Sequence, residues 1–184
     1  MDALLIWDIK LFLAINKGMS NPFFDLICPL LRDKYLWVPF YTFLISFFLI
    51  NFKRKGFVII LFAIFAVALS DQLTASIIKP LVHRIRPCND YMLIEQINIL
   101  VNCGSGFSFP SAHAANHFGL SFYLIALFGA KRKWIIPAFI IWAAAISFSQ
   151  IYVGVHYPLD IVGGILIGIT TGFSMALLAV RSVD

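Results

Sequence analysis

Apolar residues fall in long runs separated by short polar islands. The runs cover residues 36–51, 57–78, 111–130, 134–150 and 159–180. Each approaches or reaches the ~20 residues needed to cross the hydrocarbon core as a helix. The pattern predicts an all-α, polytopic transmembrane helix bundle with five or six spans and an outer loop over the active site. The first run is short and carries Pro39, which predicts an irregular outer end. Residues 2–16 read as a short amphipathic stretch, lying in the interface or forming a sixth span. Gly164, Gly168 and Gly172 repeat every four residues in the last run, so another backbone can approach closely. Packing within one subunit and a homodimer seam both suit that stripe.

The turns between runs set the orientation. Lys53-Arg54-Lys55 and Lys131-Arg132-Lys133 lie an even number of spans apart, and the positive-inside rule puts both in the cytoplasm. Three polar islands then emerge together on the other face: Lys79 with Arg84 and Arg86-Pro87, Pro110-Ser111-Ala112-His113, and His156 with Asp160. The expected setting is a bacterial cytoplasmic (inner) membrane, with the islands facing the periplasm or exterior.

Composition supports this. The chain is 61% hydrophobic and 12% charged, more apolar surface than a soluble domain of 184 residues could hide. The basic balance, net +5, raises nucleic acid as a partner, but the cations form short clusters and no stripe. They read as topology signals and phosphate ligands, and no nucleic acid is expected. Asp8 and Lys10 interrupt the first apolar stretch, so no cleavable signal peptide is expected. One integral membrane domain over residues 1–184 follows, with 1–35 as an N-terminal region and 79–160 carrying the chemistry.

Each island suits an anion. Lys79, Arg84 and Arg86 fall within eight positions, and such cations repel one another unless an anion is near. Pro110-Ser111 suits a helix start, whose free N–H groups favour an anion. His113 in that first turn could donate a proton to a leaving group. His117 reads better as a structural hydrogen-bonding group than as a metal ligand, and no cofactor or metal is implied. His156 and Asp160 are four apart, so one helical turn brings carboxylate to imidazole and leaves the other ring nitrogen free as a nucleophile. Asp71 lies inside an apolar span and reads as a structural partner. The outer loop, residues 80–109, holds Cys88 and Cys103. On an oxidising face these would form a bridge closing the loop; otherwise they are free thiols.

The islands resemble the motifs of the type 2 phosphatidic acid phosphatase (lipid phosphate phosphatase) superfamily, which includes bacterial undecaprenyl-diphosphate phosphatases. That family's pattern is Lys-x6-Arg-Pro, then Pro-Ser-Gly-His, then Ser-Arg-x5-His-x3-Asp. Lys79 with Arg86-Pro87 matches the first element. Pro110-Ser111-Ala112-His113 matches the second with Ala for Gly. Ser149, His156 and Asp160 match the third, but Gln150 occupies its Arg position.

The resemblance implies a metal-independent hydrolase acting through a phosphohistidine. His156 is then the nucleophile, Asp160 its orienting carboxylate and His113 the acid and later base. Lys79, Arg86, Ser111 and Gln150 hold the phosphoryl oxygens. Gln150 brings no charge, and Arg84 is the expected substitute for it. The partners implied are the bilayer and a lipid phosphate or diphosphate. The favoured substrate is a polyprenyl (undecaprenyl) diphosphate, because a phosphate leaving group asks less of the acid. Phosphatidate, phosphatidylglycerol phosphate and lipid A are the alternatives, as is a catalytically weak lipid-phosphate-binding protein.

Overall fold

A computed structural model describes residues 3–183, and the described residues contain helices and no strand. The elements are α1 (Ala3–Asn16), α2 (Pro22–Arg32), α3 (Val38–Gln72), α4 (Lys79–Val82), α5 (Ala112–Phe128), α6 (Ile135–Tyr152) and α7 (Pro158–Val183). A 3-10 turn at Lys34–Trp37 precedes α3, and a π-helical stretch, Leu73–Ile78, joins α3 to α4. The outer end of the first apolar run is thus irregular, and Pro39 enters at the start of α3, where a missing N–H costs nothing.

Among the described residues, three helical stretches are long and apolar enough to cross a membrane: Lys34–Val82, Ile135–Tyr152 and Pro158–Ser182. The first has 49 residues, and as one straight helix would run about 70 Å, over twice the ~30 Å core. It breaks at Lys53, whose φ of 50° lies in the left-handed region. There the chain folds back, and Gly56 presses against the Phe48 carbonyl, leaving no room for a Cβ. Phe52 and Phe48 both meet Phe128, with ring centroids 6.0 and 5.5 Å away. The two basic turns therefore share one end of the bundle.

α7 is the central helix, packed along α5 through its glycines. Gly164 faces the Ser111 carbonyl, Gly168 faces Ala115 and Gly119, and Gly172 faces Gly119 and Tyr123. The glycine stripe is thus filled by α5 of the same chain, which corrects its alternative use as a homodimer seam. Outward faces are apolar: Ile50, Leu166 and Leu177 are all more than half exposed, as lipid-facing residues should be.

α1 departs from the amphipathic expectation in sense. It buries Asp8, Phe12 and Asn16, one stripe at four-residue spacing, and exposes Leu4, Trp7 and Leu11. Two polar residues, Asp8 and Asn16, thus face protein beside Phe12, while the apolar Leu4, Trp7 and Leu11 face outward. At 14 residues it is about 21 Å long, short of a full crossing. Asn16 ties it down by donating to the carbonyls of Asn98 and Tyr152 and accepting from the Asn98 amide.

Candidate active site

At the end of the bundle away from the basic turns, three connections converge. The Ser111 amide donates to the Asp160 carbonyl at 2.9 Å, which locks the start of α5 to the first turn of α7. The Gln150 carbonyl accepts from the amides of Val155 and His156, forming the turn that presents His156; Gly154 supplies its positive φ of 90°. Between α4 and α5 the loop is closed by a Cys88–Cys103 disulfide, Cα–Cα 5.8 Å. Ser108 holds the loop base, its amide donating to the Arg84 carbonyl at 2.7 Å.

His156 and Asp160 form the centre of the site. Both are buried, and His156 Nδ1 lies 3.4 Å from Asp160 Oδ2. Asp160 Oδ2 also accepts the Tyr157 amide at 2.8 Å, and Oδ1 accepts Arg84 at 2.8 Å. A carboxylate so surrounded by donors only accepts, so Nδ1 of His156 carries the proton and Nε2 keeps its lone pair. Burial pushes the His156 pKa down to about 4; Asp160 works the other way, and the Arg86 and Lys79 charges add to the depression. The imidazole is therefore neutral at ordinary pH, as a nucleophile must be.

Lys79 and Arg86 are the cations whose fields reach His156. The ion pairs among the described residues include neither of them. Arg86 donates through Nε to the Gly106 carbonyl at 3.3 Å, and burial lowers its pKa while Asp160 partly offsets this. His113 lies in the first turn of α5, close to His156. Ser111 caps that helix, its Oγ accepting the Ala114 amide at 3.4 Å. Helix geometry leaves the amides of Ala112 and His113 without carbonyl partners, so they can face an anion.

Two expected phosphate ligands sit differently. Arg84 donates Nη1 to Asp160 and Nη2 to Asp8, and stacks over the Tyr157 ring at 4.0 Å. Burial alone would lower its pKa, but the two carboxylates outweigh it and the net shift is upward. Its two Nη atoms each meet one of these carboxylates, a placement that braces Asp160. Gln150 is fully buried, and neither atom of its side-chain amide has a partner. It offers no exposed group to a phosphate and supports the site through its backbone carbonyl. Ser149, which matches the third motif, donates to the Ile146 carbonyl at 2.6 Å.

Asp8 is a residue of this cluster that the chain pattern hid. Buried at 4% exposure, it accepts from Arg84 and from the Leu159 amide at 2.9 Å. A relay of contacts thus runs Asp8, Arg84, Asp160, His156. The only local signal was the four-residue spacing of Asp8, Phe12 and Asn16.

Asp71 and His117 are partnered as expected. Asp71 accepts from Asn116 at 3.1 Å, while His117 contacts the His113 carbonyl at 2.8 Å and Tyr41 Oη at 3.2 Å. No cluster suited to a metal occurs among the described residues. A cavity of roughly 680 Å³ opens between α3 and α5. His113, Asn116, His117 and Asp71 line it together with apolar residues such as Val67, Leu120 and Phe48. A polar headgroup region continuous with a greasy channel suits a lipid ester.

Together these features gather a buried His–Asp pair, two cations outside any ion pair among the described residues and a helix start at one end of a membrane helix bundle, an arrangement suited to an anion. Residues 56–183 match the PAP2 superfamily. The chain is 38% identical over 164 residues to a lipid A 4'-phosphatase of Bacteroides thetaiotaomicron, covering 88% of this chain and 72% of that one. It is 32% identical to a lipid A 4'-phosphatase of Porphyromonas gingivalis (94% and 72% covered), and 28% identical to an undecaprenyl-diphosphatase of Sulfolobus acidocaldarius (88% and 73%). The crystal structure of Aquifex aeolicus LpxE superposes with a TM-score of 0.64 at 26% identity, covering 94% of each chain. A PAP2 type phosphatidylglycerolphosphate phosphatase from Bacillus subtilis shares the fold, with a TM-score of 0.71 at 19% identity over 98% of this chain and 88% of that one. The chain belongs to the PAP2 superfamily and is a membrane lipid phosphatase of that type.

Proposed function

We propose that this phosphatase removes a phosphate from lipid A at the outer surface of the inner membrane, through a phosphohistidine on His156. The observation that carries the chemistry is the neutral, buried His156 held by Asp160 and faced by the charges of Lys79 and Arg86. Nε2 of His156 attacks phosphorus as the bond to the leaving oxygen breaks, and His113 gives that oxygen its proton. His113 then takes a proton from water, which attacks the phosphoryl group and frees His156. Lys79, Arg86 and the amides opening α5 hold the equatorial oxygens, where charge must be stabilised.

The substrate preference moves from polyprenyl diphosphate to lipid A because two lipid A 4'-phosphatases match over most of both chains. A sugar phosphate ester has a poorer leaving group than a diphosphate, so His113 carries more of the work. Undecaprenyl diphosphate is the second reading, favoured by the Sulfolobus acidocaldarius relative. We place five full crossings in the bundle (the two arms of α3, then α5, α6 and α7) as one domain with α1 and α2. The site faces the periplasm, because both basic turns lie at the other end.

Purified protein in detergent should release phosphate from lipid A faster than from undecaprenyl diphosphate, and His156→Ala should release none. Turnover of the diphosphate alone would move the assignment to the second reading. Equal release by His156→Ala would end the mechanism.

A further inference from the structure

We propose that Arg32, the last residue of α2, is a phosphate-binding cation of this site, supplying from outside the matched family region the charge that position 150 lacks. The inference rests on the lipid phosphatase reading and adds a residue to its anion pocket.

The placement begins with α2. Asn21 caps the helix by accepting the Phe24 amide at 3.0 Å. Tyr152, at the end of α6, donates to Asp25 at 2.5 Å and accepts the Asn21 amide at 3.2 Å. Phe24 packs on Phe148 and Tyr152, with ring centroids 5.8 and 5.5 Å away. α2 is thus pinned to the stretch of α6 that contains Gln150. Its far end is fixed too: the Asp33 amide donates to the Leu30 carbonyl at 3.0 Å, and Trp37 Nε1 to the Leu31 carbonyl at 2.7 Å. These bonds set where Arg32 leaves the helix, and the His113 ring lies against the Arg32 backbone.

The charge environment is the second observation. Arg32 Nε is buried without a partner, and no ion pair among the described residues includes Arg32. The charges of Arg32 and Arg86 are close enough to oppose each other; burial first, and then Arg86, lower the Arg32 pKa, with Asp33 acting the other way. A half-buried guanidinium beside another cation, next to the acid of the reaction, is costly unless an anion joins them. Gln150 has no charge to give, and Arg84 is committed to Asp8 and Asp160. Arg32 is a cation without an ion-pair partner among the described residues, on an element outside residues 56–183. Its planar fork suits two phosphoryl oxygens at once.

The bland alternative is a cation that only steadies the end of α2. The test therefore reads anion binding as well as activity, on the full chain in detergent. Arg32→Ala should lower kcat/KM for phosphate release about 10- to 100-fold, the scale of one charge-assisted contact. It should weaken inhibition by orthovanadate by a similar factor. Arg32→Lys should recover part of both, and thermal unfolding should stay near wild type. Wild-type kcat/KM and vanadate sensitivity in Arg32→Ala would overturn the proposal. So would a loss of stability in Arg32→Ala and Arg32→Gln with vanadate inhibition of the folded fraction unchanged. Wild-type phosphate release abolished by His156→Ala verifies the underlying reading separately, so each failure is recognisable.

Discussion

Arg84→Ala separates bracing from binding. The substitution strips one cation from two carboxylates whose side chains are 0% and 1% exposed, Asp160 and Asp8. Removing one partner of a buried pair costs about 3–5 kcal/mol. Here each carboxylate keeps one backbone donor, Tyr157 N and Leu159 N, and the Arg84 side chain is 18% exposed. The lower end applies, about 3 kcal/mol, which in a chain of this size lowers the melting temperature by roughly 6–12 °C. Catalysis suffers through geometry. Asp160 loses the contact that fixes it, and a hydrogen bond worth about 1.5–3 kcal/mol at the nucleophile slows turnover roughly 10- to 150-fold. A brace makes no contact with substrate phosphate, so on this reading orthovanadate inhibition should change little, whereas Arg86→Ala should weaken it strongly. Unfolding in detergent, phosphate release and vanadate titration on both variants make the comparison. An Arg84→Ala protein of unchanged stability that loses vanadate binding as Arg86→Ala does would return Arg84 to direct phosphate contact and refute the relay.

Two further outcomes follow from the packing and the titration. Gly168→Ala places a Cβ 2.5 Å from the Ala115 carbonyl and 2.7 Å from the Gly119 amide, so α5 and α7 must part. A loss of about 1–3 kcal/mol is expected, with reduced turnover because the same contact sets Ser111 against Asp160; wild-type stability in this variant would contradict the packing. Because the His156 pKa is held near 4 in the fold and rises to its ordinary 6.5 on unfolding, its contribution is complete above about pH 6.5. It falls as pH drops toward about 4, by roughly 1.4 kcal/mol per unit and about 3 kcal/mol in all. The difference in unfolding free energy between wild type and His156→Asn, followed across that window, should show this slope, and a flat difference would refute it.

The fold and the centre of the site were legible because they are written locally. Apolar run lengths, the basic turn at Lys53, and the His156–Asp160 spacing each act within a few residues of chain. The four-residue glycine repeat announced close approach, though only the structure shows that α5 fills it. What was not legible lies at long range. Arg84 meets both its carboxylates 76 positions away, so its cluster with Lys79 and Arg86 suggested a phosphate ligand and gave no hint of these two partners. Asp8 read as an interruption of an apolar stretch, because a lone acid on a greasy helix does not say what it faces. Arg32 drew no notice for the same reason.

The measurement that bears most directly on the mechanism is rapid-quench trapping with phosphate-labelled lipid A, followed by peptide mapping of the label. The account predicts an acid-labile, alkali-stable phosphoryl group on His156, absent from His156→Ala. Label on another residue, or turnover that persists in His156→Ala with no trapped intermediate, would contradict it.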